Sequence, residues 1–270
     1  MAIAENTGPE DPVTQGGAGS YLRYALGEVV LVVIGILIAL QFNDWYQERF
    51  DRQVEREYLA SMSRDLKEDA RELRDAIAGN ASLLAGLNET MSLLANSPSD
   101  AAWERELYIH GVKHTYWFVV MEFSRLTMAQ LQYSGGMRLI TDPGVREAMI
   151  AYEQGLETAR QQARDVMTYF HELEASHKDL FNLRLSKRAM EFIEQDYRNM
   201  LAPIEVFEPL VPPGNYLSSE DPALIEDYYE DMLYYRTALN ILNLMYARQL
   251  DLAEKLSALI ASQDRLPIEQ

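Results

Sequence analysis

A long apolar segment near the N-terminus constrains this chain more than any other feature. Residues 21–45 read YLRYALGEVVLVVIGILIALQFNDW, with an uninterrupted apolar run from Val29 to Leu40. The run alone covers about 18 Å of helix, less than a hydrocarbon core of about 30 Å. The flanking residues extend it to about 37 Å and place aromatic rings at both ends, as membrane interfaces favour. We therefore predict one membrane-spanning helix over residues 21–45.

Two alternatives to a membrane span stay open. A cleaved signal peptide is disfavoured, because no small-x-small cleavage site follows Ala39 and residues 1–20 contain no Lys or Arg. A buried helix of a soluble protein is disfavoured by the run of β-branched residues, which is more typical of lipid-facing helices. Glu28 is costly in lipid, so we expect it to lie near the headgroups, to be protonated or to meet a partner.

Small residues recur along one face of this helix. Gly27, Leu31, Gly35 and Ala39 follow one another at four-residue steps. Gly35 and Ala39 form a small-xxx-small pair, which lets a second helix approach closely. We predict that this small-residue stripe, together with Glu28, packs against another membrane helix. The simpler alternative is that Gly is common in membrane helices.

Beyond residue 45 the pattern remains helical. Apolar residues recur at steps of three and four, the spacing of one helix face, with charged residues between them. The first such stripe consists of Leu59, Met62, Leu66, Ala70, Leu73 and Ile77. We expect the first helix to run from the membrane to about Ala95, with an interruption or a kink at Gly79-Asn80. Capping residues indicate the later helix starts. They are Asp100, Thr127, Asp142 followed by Pro143, and Asp221 followed by Pro222.

We predict an all-α fold, in which the transmembrane helix continues into an antiparallel extramembrane helical bundle. Residues 180–201 are expected to form a further helical stretch. Residues 202–220 contain four Pro and one Gly, and an irregular connection of this length is usually functional or bound to something. The predicted divisions are a disordered or partner-ordered tail at 1–20, the transmembrane helix at 21–45, the first part of the bundle at 46–201, the Pro-rich connection at 202–220, a long bundle helix at 221–262 and a tail at 263–270.

The composition excludes several classes of function. Lys and Arg number 24 and Asp and Glu 42, which gives a formal net charge of −18. Nucleic acid is not an expected partner, because phosphate binding needs a basic surface. The absence of Cys excludes disulfides, thiol nucleophiles and cysteine-based zinc sites. Gly-rich phosphate loops, Gly-x-Ser-x-Gly and His-Glu-x-x-His motifs are also absent, so we expect no enzyme activity and no cofactor.

One helix face carries a candidate metal site. Glu106, His110 and His114 follow at four-residue steps and offer three ligands to a divalent metal, although a fourth would have to come from elsewhere. The more common explanation is exposed histidine on an amphipathic helix, and we prefer it. We also expect His171 and His177 at the surface, because residues six apart do not share a helix face.

A tyrosine-rich segment is the candidate partner surface. Tyrosine is favoured at interfaces because it buries a large area and keeps a polar tip. The candidate residues are Tyr228, Tyr229, Tyr234 and Tyr235. The plain alternative is that half of these rings lie in the core and half in water.

Two segments resemble a bacterial family of single-span membrane proteins whose activity is not established. Residues 21–45 are similar to the family's K-Y-L-x-Y-A-x-G-E block, which precedes a V-I-G-I-L-I-A-L-Q stretch and N-x-W; this chain departs at Arg23 and in its non-basic lead. Residues 131–153, LQYSGGMRLITDPGVREAMIAYE, are similar to the family's Ser-Gly-x-x-x-Leu-Ile-x-Asp block and the helix after it. The resemblance implies membrane anchoring and a helical outer domain, and it implies no activity.

The side of the membrane that holds the bundle receives conflicting indications. Arg49, Arg52, Arg56 and Arg64 follow the span and Arg23 precedes it, so the positive-inside rule favours a cytoplasmic bundle. The family pattern has a basic N-terminal tail, which favours a cytoplasmic N-terminus. We follow the family pattern and expect a periplasmic bundle on the bacterial inner membrane.

These features together favour a non-catalytic accessory subunit of a larger membrane assembly, of the photosynthetic or respiratory type. Its expected partners are membrane lipid and other integral membrane subunits, with self-association as a variant. One alternative is a membrane-anchored sensor or signalling module whose bundle binds a ligand. The second alternative is a metal-dependent enzyme that uses Glu106, His110 and His114.

Overall fold

The computed structural model describes residues 18–96, 100–115, 120, 126–219 and 221–263, with residues 18–25 described by their backbone alone. The expected tail at 1–20 therefore lies outside the described residues, apart from its last three, which are helical. The expected tail at 263–270 also lies outside them, apart from Gln263 at the end of a helix.

The first helix, α1, covers Ala18–Ala95. By length and composition, it is the one helix in the described part of the chain that is long and apolar enough to span a membrane. Its most apolar window has a mean hydropathy of 2.2 and is not buried at all. The helix does not end at Gly79 and Asn80, and both residues are buried.

The chain separates into two compact units, which meet in sequence between Arg56 and Glu57. The second unit contains the bundle and its core. The apolar stripe that the sequence predicts for α1 is buried in this core at five of its six positions, and Ile77 is half-buried. The periodicity therefore identified the inward face of this part of α1.

Six more helices lie in the described ranges. They are α2 (Ala101–His114), α3 (Leu126–Tyr133), α4 (Pro143–Leu180), α5 (Lys187–Gln195), α6 (Ile204–Phe207) and α7 (Pro222–Gln263). Short 3-10 turns lie between them at Gly136–Leu139, Leu183–Ser186, Tyr197–Leu201 and Glu208–Leu210. Within those ranges no strand forms, and Phe181 and Leu217 make one isolated bridge. The predicted all-α fold is confirmed.

Three predicted helix starts are confirmed by their caps. Asp100, Asp142 and Asp221 each accept hydrogen bonds from backbone N–H groups of the first helical turn, at 2.8–3.1 Å. These bonds satisfy donors that a helix start leaves without an intrahelical acceptor. The fourth predicted cap is wrong, because α3 begins one residue before Thr127, which is buried in its first turn. Gly135 follows α3 with a φ of 68°, the left-handed conformation common after a helix.

The helices α4 and α7 pack against each other in opposite directions. Gln162 Nε2 on α4 donates to the carbonyl oxygen of Ala238 on α7 at 2.9 Å. Further along, Gln249 Nε2 on α7 donates to the carbonyl oxygen of Tyr152 on α4 at 3.0 Å. Residue numbers fall along α7 as they rise along α4, so the pair is antiparallel.

The bundle part of α1 also runs antiparallel to α7. Arg236 Nε donates to Asn88 Oδ1 at 2.8 Å, and Arg74 pairs with Glu254 at 2.5 Å. The three long helices α1, α4 and α7 therefore surround one core. The helix α7 contacts both of the others and, as the last of the described helices, completes the bundle.

The segment between α4 and α7 differs from its prediction. A single helical stretch over residues 180–201 is wrong, because α4 ends at Leu180 and two 3-10 turns and α5 follow. The connection 202–220 is less irregular than expected, since it contains α6 and a 3-10 turn. It also contributes buried core residues, namely Phe207, Val211 and Tyr216.

Candidate functional site

The exposed apolar part of α1 is the first candidate site. Its large apolar side chains from Leu26 to Leu40 are each between 48% and 72% exposed. Contiguous apolar surface of this extent is rare on a soluble monomer and marks contact with a membrane or with another protein. The exposure of these side chains therefore indicates that an apolar environment, either lipid or another protein, contacts this segment.

The small-residue stripe on this segment is open. A Cβ added at Gly27 or Gly35 would meet no atom within 4 Å. Glu28 and Ala39 are exposed as well. The surface accommodates a closely packed helix, and the packing role of these residues remains a prediction.

An aromatic end follows the apolar segment. The rings of Phe42 and Trp45 lie with their centroids 5.6 Å apart. The guanidinium of Arg49 lies 5.4 Å from the centroid of the Trp45 ring, a cation–π contact. The sequence predicted the rings at this end but not their contact with Arg49.

The second candidate site is the histidine face of α2, and here the expectation of surface histidines is wrong. His110 is 9% exposed and His114 is 5% exposed, with their ring centroids 5.4 Å apart. The His114 ring lies directly against Gly86 of α1, where an added Cβ would overlap it. Only glycine at this position leaves room for the ring.

The candidate metal triad, which we did not favour, is not brought together. Glu106 is exposed, whereas His110 and His114 are buried. Across the described ranges, no group of three or more His, Asp or Glu side chains is placed to hold a metal ion. The closest acidic contact of His110 Nδ1 is Glu89 Oε2 on α1 at 3.9 Å.

Burial favours the neutral form of these side chains. Burial, with help from Lys113 and His110, lowers the pKa of His114 to about 3. Burial also lowers the pKa of His110, although Glu89 and Glu106 oppose the effect. The pKa of Lys113 is lowered by burial too, and its Nζ lies 5.5 Å from the centroid of the Phe207 ring.

His177 is also inside the bundle, so its predicted surface position is wrong. It is fully buried near the end of α4, and its ring lies 4.6 Å from Phe181 and 5.8 Å from Tyr228, centroid to centroid. Burial lowers its pKa to about 3. His171 is exposed as expected, and its Nδ1 lies 3.6 Å from Glu174.

The predicted tyrosine surface is wrong for two of its four residues. Tyr228 and Tyr235 are fully buried, and the Tyr228 hydroxyl shares a hydrogen bond of 2.8 Å with Thr115 Oγ1. Tyr234 is 59% exposed and stacks on Tyr169, and Tyr229 is half-buried. The segment therefore divides between core and surface.

A buried polar contact joins the long helices and was not predicted. The Tyr152 hydroxyl on α4 donates to Asp69 Oδ2 on α1 at 2.5 Å, and both residues are buried. Burial, and after it the nearby Asp69 carboxylate, raises the pKa of Tyr152, so the phenol stays protonated. The position of Asp69 next to the apolar stripe is the one sequence signal that could have indicated this contact.

Comparison with known proteins adds no assignment: no family model, curated protein or solved structure matches this chain.

Proposed function

We propose that this chain is a single-span protein of the bacterial inner membrane whose bundle acts as a non-catalytic accessory subunit of a larger membrane assembly. The observation that carries the proposal is the exposed apolar stretch from Leu26 to Leu40. Apolar surface in water costs about 25 cal/mol per Å², so a lipid environment is strongly favoured.

The open small-residue stripe supports docking on another membrane subunit. Between membrane helices there is no hydrophobic driving force, so close packing at small residues stabilises their association. Gly35, near the middle of the apolar run, is the position where a second helix can approach most closely. The periplasmic side for the bundle rests on the family pattern and is part of the proposal.

Extraction and co-purification test the proposal. The full chain should remain with the membrane fraction in salt and enter solution in mild detergent together with stoichiometric partners, which mass spectrometry identifies. Solubility without detergent contradicts the membrane span. Migration of the extracted chain alone, at monomer mass, contradicts the accessory role.

A matched pair of variants tests the docking face. Gly35→Leu fills the small-residue stripe and should reduce recovery of the partner. Val33→Leu adds a methylene on the opposite face, since two residues turn a helix by about 200°, and should leave recovery unchanged. Equal recovery in both variants would remove the stripe from the proposal.

A further inference from the structure

The helical segment after the apolar run, residues 42–56, sorts its side chains by character around the helix. At about 100° per residue, two groups share an arc of about 160°. They are the aromatic rings of Phe42, Trp45, Tyr46 and Phe50 and the guanidinium groups of Arg49, Arg52 and Arg56. A third group occupies a separate arc of about 60°. It consists of the carboxylates of Asp44, Glu48, Asp51 and Glu55.

The first two groups form one exposed surface, here called the aromatic–arginine face. Its four rings are between 52% and 67% exposed, and its three arginines are exposed. The contact of the Arg49 guanidinium with the Trp45 ring shows that the two kinds of side chain lie together. The face is continuous in sequence with the apolar run that we propose to span the membrane.

We propose that the aromatic–arginine face lies along the lipid headgroup layer, with its arginines at the lipid phosphates. The helix is then tilted toward this face where it leaves the bilayer. The inference rests on the proposed membrane span and adds which side of the helix meets the lipid surface.

The chemistry of the face fits a headgroup layer. Tyrosine and tryptophan rings favour the boundary between acyl chains and headgroups. Arginine side chains bury their stems and direct the guanidinium to phosphate oxygens. The carboxylates on the far side point away from anionic lipid, so the charges around the helix complement the surface. Interfacial aromatic and arginine anchors are also what set the tilt and rotation of a membrane helix.

A partner helix is the competing occupant, because the small-residue stripe lies on the same side of α1. The arginines argue against it. A helix packed over the face would remove three guanidinium groups from water and would have to supply an acceptor for each. A layer of lipid phosphates supplies those acceptors without any matched sequence.

Spin labelling of the full chain tests the inference directly. The chain has no cysteine, so single-cysteine variants need no altered background. The variants Phe50→Cys and Glu48→Cys, each carrying a nitroxide, are reconstituted in vesicles of phosphatidylcholine and phosphatidylglycerol. Relative accessibility to oxygen and to a nickel chelate then gives the depth of each label.

The depth order of the two labels decides the outcome. Position 50 is about 3 Å further from the span along the axis than position 48, so a perpendicular helix makes position 48 the deeper one. Our inference predicts the reverse, because position 50 belongs to the aromatic–arginine face and position 48 to the acidic side. A deeper label at position 48 than at position 50 overturns the inference. Exclusion of both reagents at position 50 also overturns it, in favour of a protein partner.

Two further variants complete the design. Ile34→Cys lies in the middle of the apolar run, and its label should be deep in the bilayer. A shallow Ile34 label refutes the span itself. A deep Ile34 label, combined with a deeper label at position 48 than at position 50, refutes only the headgroup contact. Replacing the three arginines of the face by Gln should shrink the depth difference, whereas Arg64→Gln, outside the face, should not. An unchanged difference in the triple variant removes the arginines from the inference.

Discussion

Acidification should weaken the bundle through its buried histidines, above all His114 and His177, with His110 acting in the same direction. Burial lowers the pKa of His114 and of His177 to about 3, whereas an unfolded chain has the ordinary histidine pKa of about 6.5. Below pH 6.5 or so, the unfolded chain binds protons that the folded chain does not. The contribution of the neutral rings to the free energy of unfolding is therefore fully present above this value. It is lost progressively as the pH falls toward the folded pKa.

The expected loss follows from these values. At about pH 5 a histidine with the unfolded pKa is almost fully protonated, which favours unfolding by about 2 kcal/mol for each buried ring. The two histidines together then cost about 4 kcal/mol, a large part of a typical domain stability of about 5–15 kcal/mol. The carboxyl groups with a lowered pKa, those of Asp142, Glu174 and Asp196, titrate below this window.

Guanidinium unfolding of the full chain in mild detergent, followed by tryptophan fluorescence, measures this loss between about pH 7.5 and about pH 5. His177→Phe keeps an aromatic ring against Phe181 and removes the titrating group, so it should recover about 2 kcal/mol of the loss. His171→Phe changes an exposed histidine and should recover none. Equal stability of the natural chain at both pH values, or the full loss in His177→Phe, would refute the reasoning.

Three further predictions concern the bundle and its chemistry. Gly86→Ala should lower the free energy of unfolding by about 1–3 kcal/mol, because the added Cβ overlaps the buried His114 ring; thermal unfolding measures this. Tyr152→Phe removes the hydrogen bond to Asp69 and should cost about 1–3 kcal/mol in chemical denaturation. The matched variant Tyr229→Phe, at a half-buried ring, should cost less than about 0.5 kcal/mol. Elemental analysis of the purified protein should find no stoichiometric zinc, since the candidate residues Glu106, His110 and His114 do not converge; one zinc per chain contradicts this.

Local signals in the sequence were enough for much of the helical framework. Asp100, Asp142 and Asp221 cap helices because a short acidic side chain can reach the free N–H groups of the first turn, which depends only on neighbouring residues. The apolar stripe of α1 likewise reports its own buried face. The break after Leu180 was missed because it depends on a bridge to Leu217, which lies far along the chain.

The buried histidines were missed for a similar reason. The sequence of α2 allows an amphipathic helix with His110 and His114 outside. The structure instead buries every residue of α2 from Leu107 to His114, because α1 lies on one side of the helix and the connection with α6 lies on another. Burial of a polar face by a segment so distant in sequence leaves no local periodic signal. His177 shows the same effect, since its ring is enclosed by Tyr228 of α7.

The closing role of α7 has a consequence for synthesis on the ribosome. The 42 residues of α7 pack against both α1 and α4. At about 5–20 residues per second, a ribosome takes about 2–8 s to add them. Throughout that interval the parts of α1 and α4 that α7 later buries are exposed on the nascent chain. A message truncated before this final helix should therefore yield an aggregating product, even though residues 1–221 of the 270 are intact.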